Sequence, residues 1–349
     1  MNRVRAGTLT AALLAGAWRA TPPPLTLRPD EIDQAVDAVA PTRAAPLAWR
    51  RLRDVDPRPR RLDDLREAYR YCALQAAVRE STLRSAAGVL RDASVEPLVV
   101  KGWNVARLYP EGALRPYDDV DVAVSPASLE RATHAVAPLQ SGDAMVDLDH
   151  SEITELDDRD WNELFAHSQL VAGPGGEVRV PSDADQLRIT AIHALKHGVW
   201  NPLWLCDVAV ALESAGPAFD WNRCLGSIDP QRDWVLTAFA LARALLGARV
   251  PSAIAGRVHE PPRWVVRSVL RTWSDHDAGR RTANVVPIAR YGPRVWAWPR
   301  ALRERWPTPV AATIELRASF HAGFPVVRQI GTLIAPRRVR GLLRAAART

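Results

Sequence analysis

Apolar residues recur at helical spacing along most of the chain, and short strand-like runs appear only in the middle. The clearest helical pattern runs from about residue 62 to 93, where Leu65, Tyr69, Cys72 and Ala76 fall on one stripe. A stripe of this kind is typical of a helix that packs on a core. The same spacing predicts further helices at 29–39, 182–199, 203–212, 231–247, 261–274 and 298–305.

The N-terminus combines early positive charge with a short apolar run, a pattern that signal peptides share. Arg19 ends the run, and three prolines follow at 22–24. We therefore predict that this segment is the first helix of the fold, with a signal peptide as the alternative. No apolar run approaches the roughly 20 residues that are needed to cross a membrane.

From about residue 97 the pattern changes to short apolar runs separated by turns and short helices. Strands are predicted at 98–100, 120–124, 144–148 and, as an edge strand, 178–180. Helices are predicted between them at 103–108, 125–139 and 160–168. The alternation indicates an α/β core with helical segments on both sides.

Composition is that of a folded, soluble protein, with 47% hydrophobic and 24% charged residues. Arginine carries the formal net charge of +7, since only Lys101 and Lys196 among the 46 basic residues are lysine. A basic surface can attract phosphates or an anionic membrane, although a solvated surface is the simpler interpretation. Cys72, Cys206 and Cys224 form no CxxC motif, which indicates a reducing, cytoplasmic compartment.

Two acids one residue apart carry the strongest chemical signal. Asp119 and Asp121 project from the same face of a predicted strand, because side chains alternate along it. Carboxylates this close repel each other unless a cation lies between them, and Asp118 adds a third charge. Oxygen ligands favour a hard divalent cation such as magnesium. The alternative is a pair of exposed acids at the end of a strand.

A neighbouring strand can supply a third carboxylate. Asp147 stands between Val146 and Leu148, as expected for a strand that points one acid into a site. Asp149 lies on the same face and is the alternative. A position in a turn is equally compatible with the pattern.

A lysine and a glycine precede the acid pair, at the point where a strand meets a short helix. Glycine at 102 permits close backbone approach, and helix N-terminal amides can hold phosphate. Lysine is rare in this chain, so Lys101 indicates a position that favours a compact charge. Arg115, just before the acidic strand, can clamp a polyphosphate or belong to the surface.

His193 and His197 lie four residues apart on one predicted helix face, a spacing that can hold a metal. No Glu follows His193, so the zinc-protease pattern is absent. Helix packing, or support of a nearby site from a second layer, is the favoured interpretation. Lys196 and Asp207 are close in sequence, and either can reach a ligand or the two can pair.

Together these motifs resemble those of the bacterial uncharacterised nucleotidyltransferase family, within the polymerase-beta-like nucleotidyltransferase superfamily. That family carries Lys-Gly, an Arg, Asp-hydrophobic-Asp, an acid-Leu-His strand, and His-x-x-x-His followed by Trp-Leu-x-Asp. The corresponding residues here are Lys101-Gly102, Arg115, Asp119-Val120-Asp121, Asp147-Leu148, His193 with His197, and Trp204-Leu205-Cys206-Asp207. The resemblance covers about residues 30–215. It departs at Trp103, where the superfamily often has a small residue, and at Asp149, where the family usually has His.

The resemblance implies a helix-rich α+β fold. A small mixed sheet would form the nucleotidyltransferase core at 95–182, between an N-terminal helical segment at 1–94 and a C-terminal helical region at 183–349. The implied reaction moves a nucleotidyl group from an NTP to a hydroxyl or phosphate of a small-molecule or peptide acceptor.

The resemblance also implies roles for the individual residues. Two Mg²⁺ ions would be held by Asp119 and Asp121, and Asp147 would complete the metal site or act as general base. The triphosphate would be held by Lys101, the backbone near Gly102, and Arg115. The C-terminal helices would shape the acceptor pocket.

Three alternatives remain open. A toxin-like nucleotidyltransferase acting on tRNA or protein would use the basic charge, but the sequence has no aromatic-basic stripe typical of RNA platforms. A catalytically inactive nucleotide-binding module would result if Trp103 blocked the nucleotide. A peripheral membrane protein would use residues 330–344 as a basic amphipathic anchor.

Overall fold

The computed structural model describes residues 3–139, 145–150, 153–156, 158–275, 306–322 and 325–334. Its helices are α1 (Arg3–Leu14), α2 (Pro29–Val39), α3 (Ala45–Leu52), α4 (Leu62–Asp92), α5 (Gly102–Ala106), α6 (Leu129–Val136), α7 (Trp161–Ala166), α8 (Asp183–Lys196), α9 (Pro202–Glu213), α10 (Trp221–Leu225), α11 (Gln231–Leu246), α12 (Ser252–Ala255), α13 (Arg263–Thr272), α14 (Pro309–Glu315) and α15 (Pro325–Ile334). The strands are β1 (Leu98–Val99), β2 (Asp119–Val124), β3 (Met145–His150), β4 (Gln169–Gly173) and β5 (Gly176–Val180). The helix-rich α+β prediction is confirmed.

Strand β2 is the centre of a three-stranded mixed sheet. β1 pairs with it antiparallel and β3 pairs with it parallel, so that Asp121 lies opposite Asp147. Val120 and Val122 point into a core beneath α4, while Asp119 and Asp121, which alternate with them, face the opposite side. The alternation of β2 therefore separates a structural face from a polar one.

A separate hairpin joins β4 to β5 through Pro174 and Gly175, which has φ +82°. The sequence pattern predicts only the second of these strands. The residues of β4 are half-buried or exposed. The strand therefore has no buried apolar face, and its period-two signal is weak.

Local sequence signals account for most helix boundaries. The Ser182 hydroxyl accepts a hydrogen bond from the Asp185 amide at the start of α8, as the capping pattern predicts. Gly247 ends α11 in the left-handed conformation. The predicted helices at 29–39, 62–93, 203–212, 231–247 and 261–274 are confirmed to within a few residues. The one predicted at 298–305 lies outside the described residues.

The largest core cluster combines residues from all three predicted regions of the chain. It joins Leu13 and Leu47 from the N-terminal helices, Val105 from α5, and Leu205 and Phe239 from the C-terminal helices. The helical segments therefore share a core that reaches the α/β part. None of the helices in the described ranges combines the length and the apolar character that crossing a bilayer requires.

Helix α1 is an integral part of this core, as predicted for the first helix of the fold. Leu13 and Leu14 are fully buried, and the helix packs against α13. The closest approach is at Gly7, where an added Cβ would collide with the backbone carbonyl of Leu270. Glycine thus sets the distance between the two helices.

This close approach predicts that Gly7→Ala destabilises the protein by about 1–3 kcal/mol, because overpacking forces the helices apart. Gly88→Ala on α4 is the matched control, since a Cβ there meets no atom within 4 Å. It should instead stabilise the protein by about 0.5–1 kcal/mol through helix propensity. Denaturant unfolding of both variants measures these changes, and equal effects would contradict the proposed packing.

Candidate active site

A cavity of about 310 Å³ lies beside the first half of β2. Its lining includes the six residues predicted for catalysis and nucleotide binding: Lys101, Gly102, Arg115, Asp119, Asp121 and Asp147. A larger cavity of about 930 Å³ is lined by α13, α14, α15 and nearby residues, and contains none of these residues. We place the candidate site in the smaller cavity, because convergent charged groups mark a site better than volume does.

The acids come together from two adjacent strands. Asp119 and Asp121 lie on one face of β2, and the parallel register brings Asp147 of β3 beside them. One carboxylate oxygen of each lies within 4.8 Å of the others. Carboxylate oxygens in this arrangement suit Mg²⁺. The side chain of Asp149 lies outside the described part of the chain. The choice between Asp147 and Asp149 as the third carboxylate therefore stays a prediction.

Asp121 has the most perturbed chemistry of the three. Burial raises the pKa of its carboxyl to about 7, and the charges of Asp119 and Asp147 act in the same direction. Lys101 opposes the shift, with its Nζ atom 3.8 Å from the nearer Asp121 oxygen. Arg115 also opposes the shift, yet the pKa stays raised, so a bound cation would relieve the cost of keeping this carboxylate ionised.

The turn between β1 and α5 places Lys101 in an unusual backbone conformation. Its φ is 51° and its ψ is −130°, a region that favours glycine and is strained for other residues. At the next residue, a Cβ on Gly102 would lie 3.4 Å from the Asp121 carboxylate. Glycine at 102 therefore leaves that edge of the carboxylate open to the cavity.

Arg115 is engaged in a buried network beneath this turn. Its Nη2 and Nε atoms donate to the two Asp207 oxygens at 3.0 and 3.3 Å, and its Nη1 donates to the Gly102 carbonyl at 3.2 Å. The Tyr109 hydroxyl donates to Asp207 at 2.8 Å. Asp207 thus pairs with Arg115 rather than with Lys196. The guanidinium of Arg115 lines the cavity, and its hydrogen bonds to Asp207 and Gly102 fix its position.

The two histidines of α8 have different surroundings. His193 lines the cavity, with its Nδ1 atom 3.8 Å from the buried carboxylate of Glu155. Lys196 contacts the same carboxylate, with its Nζ at 3.3 Å. Burial would raise the pKa of Glu155, but His193, Lys196 and Lys101 together hold it well below its usual value.

His197 packs among aromatic rings. Its ring centroid lies 4.6 Å from that of His193 and 5.1 Å from that of Trp204. Neither histidine belongs to the one group of three potential metal ligands found among the described residues. The packing interpretation of the pair stays a prediction.

Trp103 follows the Lys-Gly turn but does not line the cavity. Its indole is 6% exposed and packs against the β4–β5 hairpin, where a Cβ on Gly173 would lie 2.8 Å from the ring. The side chain therefore supports the second sheet. The site beside β2 remains open at this residue.

Sequence reasoning missed several residues that line or support the cavity, and three of them contact its charged groups. Arg43, from the loop between α2 and α3, lines the cavity and forms an ion pair with Asp118. Glu155 and Tyr109 support the site as buried partners of Lys196 and Asp207, two residues that the sequence analysis names. Arg43 falls within the 39–47 segment, which is also typical of the family that the motifs resemble, but nothing in that segment assigns it a role. Glu155 belongs to no motif, so no local signal separates it from the many charged residues of this chain.

Comparison with known proteins gives a family match. A family model described as uncharacterised nucleotidyltransferase matches residues 28–246, which is more than half of the chain. No curated protein and no solved structure matches the chain significantly. The matched range begins ahead of Arg43 and ends after Asp207, so it contains every residue of the site.

The raised pKa of Asp121 predicts a pH-dependent stability without metal. In the unfolded chain this carboxyl ionises near pH 4, whereas in the folded protein it ionises near pH 7. Its contribution to stability is therefore complete below pH 4 and is lost as the pH rises through 7. Asp121→Asn should be more stable than the wild type, by on the order of 3 kcal/mol at pH 8 and very little at pH 4.

Thermal unfolding in EDTA across this pH range measures the difference. Added Mg²⁺ should stabilise the wild type at pH 8 and have little effect on the variant. A difference in stability that does not change with pH would show that the Asp121 carboxyl is not perturbed.

The ring contacts of His197 predict a structural role. His197→Ala should lower the free energy of unfolding by about 1–2 kcal/mol, because it removes a ring that packs on Trp204 beside those of His193 and Trp200. The Mg²⁺ affinity should stay unchanged. His134→Ala, at an exposed position of α6, serves as the control and should change neither quantity. Loss of Mg²⁺ affinity without loss of stability would instead make His197 a ligand.

Proposed function

Because this chain belongs to the uncharacterised nucleotidyltransferase family, and so is an enzyme of that class, we propose the following reaction. It transfers a nucleotidyl group from an NTP to a hydroxyl or phosphate of a small-molecule or peptide acceptor. The observation that carries the proposal is the convergence of Asp119, Asp121 and Asp147 within 4.8 Å, beside the Lys101-Gly102 turn. That combination provides for a cation and a triphosphate in one cavity.

The acids are proposed to hold magnesium. The donor set consists of carboxylate oxygens, and the raised pKa of Asp121 reflects burial and repulsion that a cation would offset. When bound, two Mg²⁺ ions would neutralise charge on the phosphates and increase the acidity of the acceptor oxygen. Asp147 is the exposed member of the three, so it is proposed to complete the metal site or to take the acceptor proton.

The nucleotide is proposed to lie along the Lys101 turn. Lys101 offers a compact charge 3.8 Å from Asp121, where a phosphate oxygen can meet both the ammonium and the metal site. Gly102 allows the phosphates to approach the backbone. Arg115 contributes positive charge to the cavity wall, and its bond to the Gly102 carbonyl fixes the turn.

Two further features support this proposal. The packing of Trp103 against the hairpin supports an active enzyme over an inactive nucleotide-binding module. No cysteine forms a disulfide, which supports a cytoplasmic location. The peripheral-anchor alternative uses residues 330–344, of which 335–344 lie outside the described residues.

The proposal predicts that Asp119→Asn and Asp121→Asn each reduce magnesium-dependent transfer by at least about 100-fold, because each removes charge from the metal site. Both variants should remain folded. Asp63→Asn, on the exposed surface of α4, is the control and should keep the wild-type rate.

The measurement is transfer of label from the α-phosphate of the four NTPs to a panel of small-molecule and peptide acceptors, with tRNA included. Wild-type activity in the Asp119→Asn, Asp121→Asn double variant would refute the assigned site. Labelling of tRNA alone would favour the toxin-like alternative.

A further inference from the structure

An arginine outside the α/β core reaches the cavity. Arg43 lies in the loop between α2 and α3, and its guanidinium forms an ion pair with Asp118 at the start of β2. Both residues line the same cavity as the acidic triad. Asp118 lies just before the strand and is not a member of the triad.

The cations of the cavity differ in how firmly they are held. Arg115 makes buried bonds to Asp207 and to the Gly102 carbonyl, so three of its N–H groups are already engaged. Arg43 pairs with an acid whose side chain is 68% exposed, and its own side chain is 41% exposed. An exposed ion pair rarely changes an equilibrium by more than about fivefold. Arg43 can therefore exchange its partner at little cost.

A phosphate is the stronger partner for this guanidinium. The planar fork of arginine matches two phosphate oxygens, and such charge-assisted bonds change affinity by about 10- to 100-fold. Burial, and then the nearby charge of Arg115, lower the pKa of Arg43, while the carboxylates of Asp119 and Asp207 act against this shift. A phosphate beside the guanidinium would stabilise its charged form in the same way as these carboxylates. A phosphate can therefore displace Asp118 from the guanidinium of Arg43.

We propose that Arg43 is the arginine that binds the triphosphate, and that Asp118 holds it as a competing partner until the nucleotide enters. The inference rests on the proposed function, since it places the phosphates of the NTP between Arg43 and Lys101. Binding would break the Arg43–Asp118 pair and leave Asp118 to water. The loop between α2 and α3 thereby becomes part of the nucleotide site. Arg115 is a positioning residue, because its bond to the Gly102 carbonyl fixes the Lys101-Gly102 turn.

A double-mutant cycle tests this exchange. Calorimetric titration with each of the four NTPs and with pyrophosphate, all with Mg²⁺, gives the dissociation constants. Arg43→Ala should weaken binding by at least about 10-fold, with Arg43→Lys in between. Asp118→Ala should tighten binding by about two- to fivefold, because it frees the guanidinium. In the Arg43→Ala background, Asp118→Ala should have no effect.

The controls are Arg58→Ala and Asp63→Ala, which break another exposed pair of the N-terminal segment, outside the cavity. Neither should change nucleotide binding, and thermal unfolding confirms that every variant is folded.

If Arg43→Ala binds as tightly as a wild type that does bind NTP, this inference fails and the proposed function stands. If Asp118→Ala tightens binding equally in both backgrounds, its effect is general electrostatics and the competition is refuted. If the wild type binds no NTP at all, both the proposed function and this inference fail.

Discussion

The buried pair between Arg115 and Asp207 is the contact on which the site depends. Burying two charges is unfavourable unless their remaining hydrogen-bonding groups are also satisfied. Here the Tyr109 hydroxyl satisfies the carboxylate, and the Gly102 carbonyl accepts from the guanidinium. The pair thus joins helix α9 to the turn that carries Lys101. Removing either partner would leave an uncompensated buried charge, and such changes typically cost about 3–5 kcal/mol.

The parts that the sequence predicts are those specified by neighbouring residues. The alternation of β2 puts two acids on one face and two valines on the other, and this pattern is readable without a structure. The capping serine at 182 marks the start of α8 in the same way. Hydrophobic spacing locates the long helix α4, since its buried stripe is continuous. These features need no knowledge of distant contacts.

The parts that the sequence does not predict depend on contacts between distant residues. Arg43 meets an acid 75 positions later, and Arg115 meets Asp207 across 92 positions. In a chain with 46 basic residues, composition cannot select these partners. The orientation of Trp103 is also not predictable from neighbouring residues. Its position beside the Lys-Gly turn in the sequence suggests that it blocks the nucleotide. Only the position of the hairpin reveals that its indole lies against Gly173.

The backbone at Lys101 implies a conflict between stability and activity. A non-glycine residue at φ 51° and ψ −130° reduces the stability of the folded state, and glycine would relieve that strain. Glycine would also remove the ammonium that faces Asp121. Directed evolution for thermostability alone would therefore tend to replace this lysine, whereas selection for turnover would retain it. Position 101 is where the two selections would separate first.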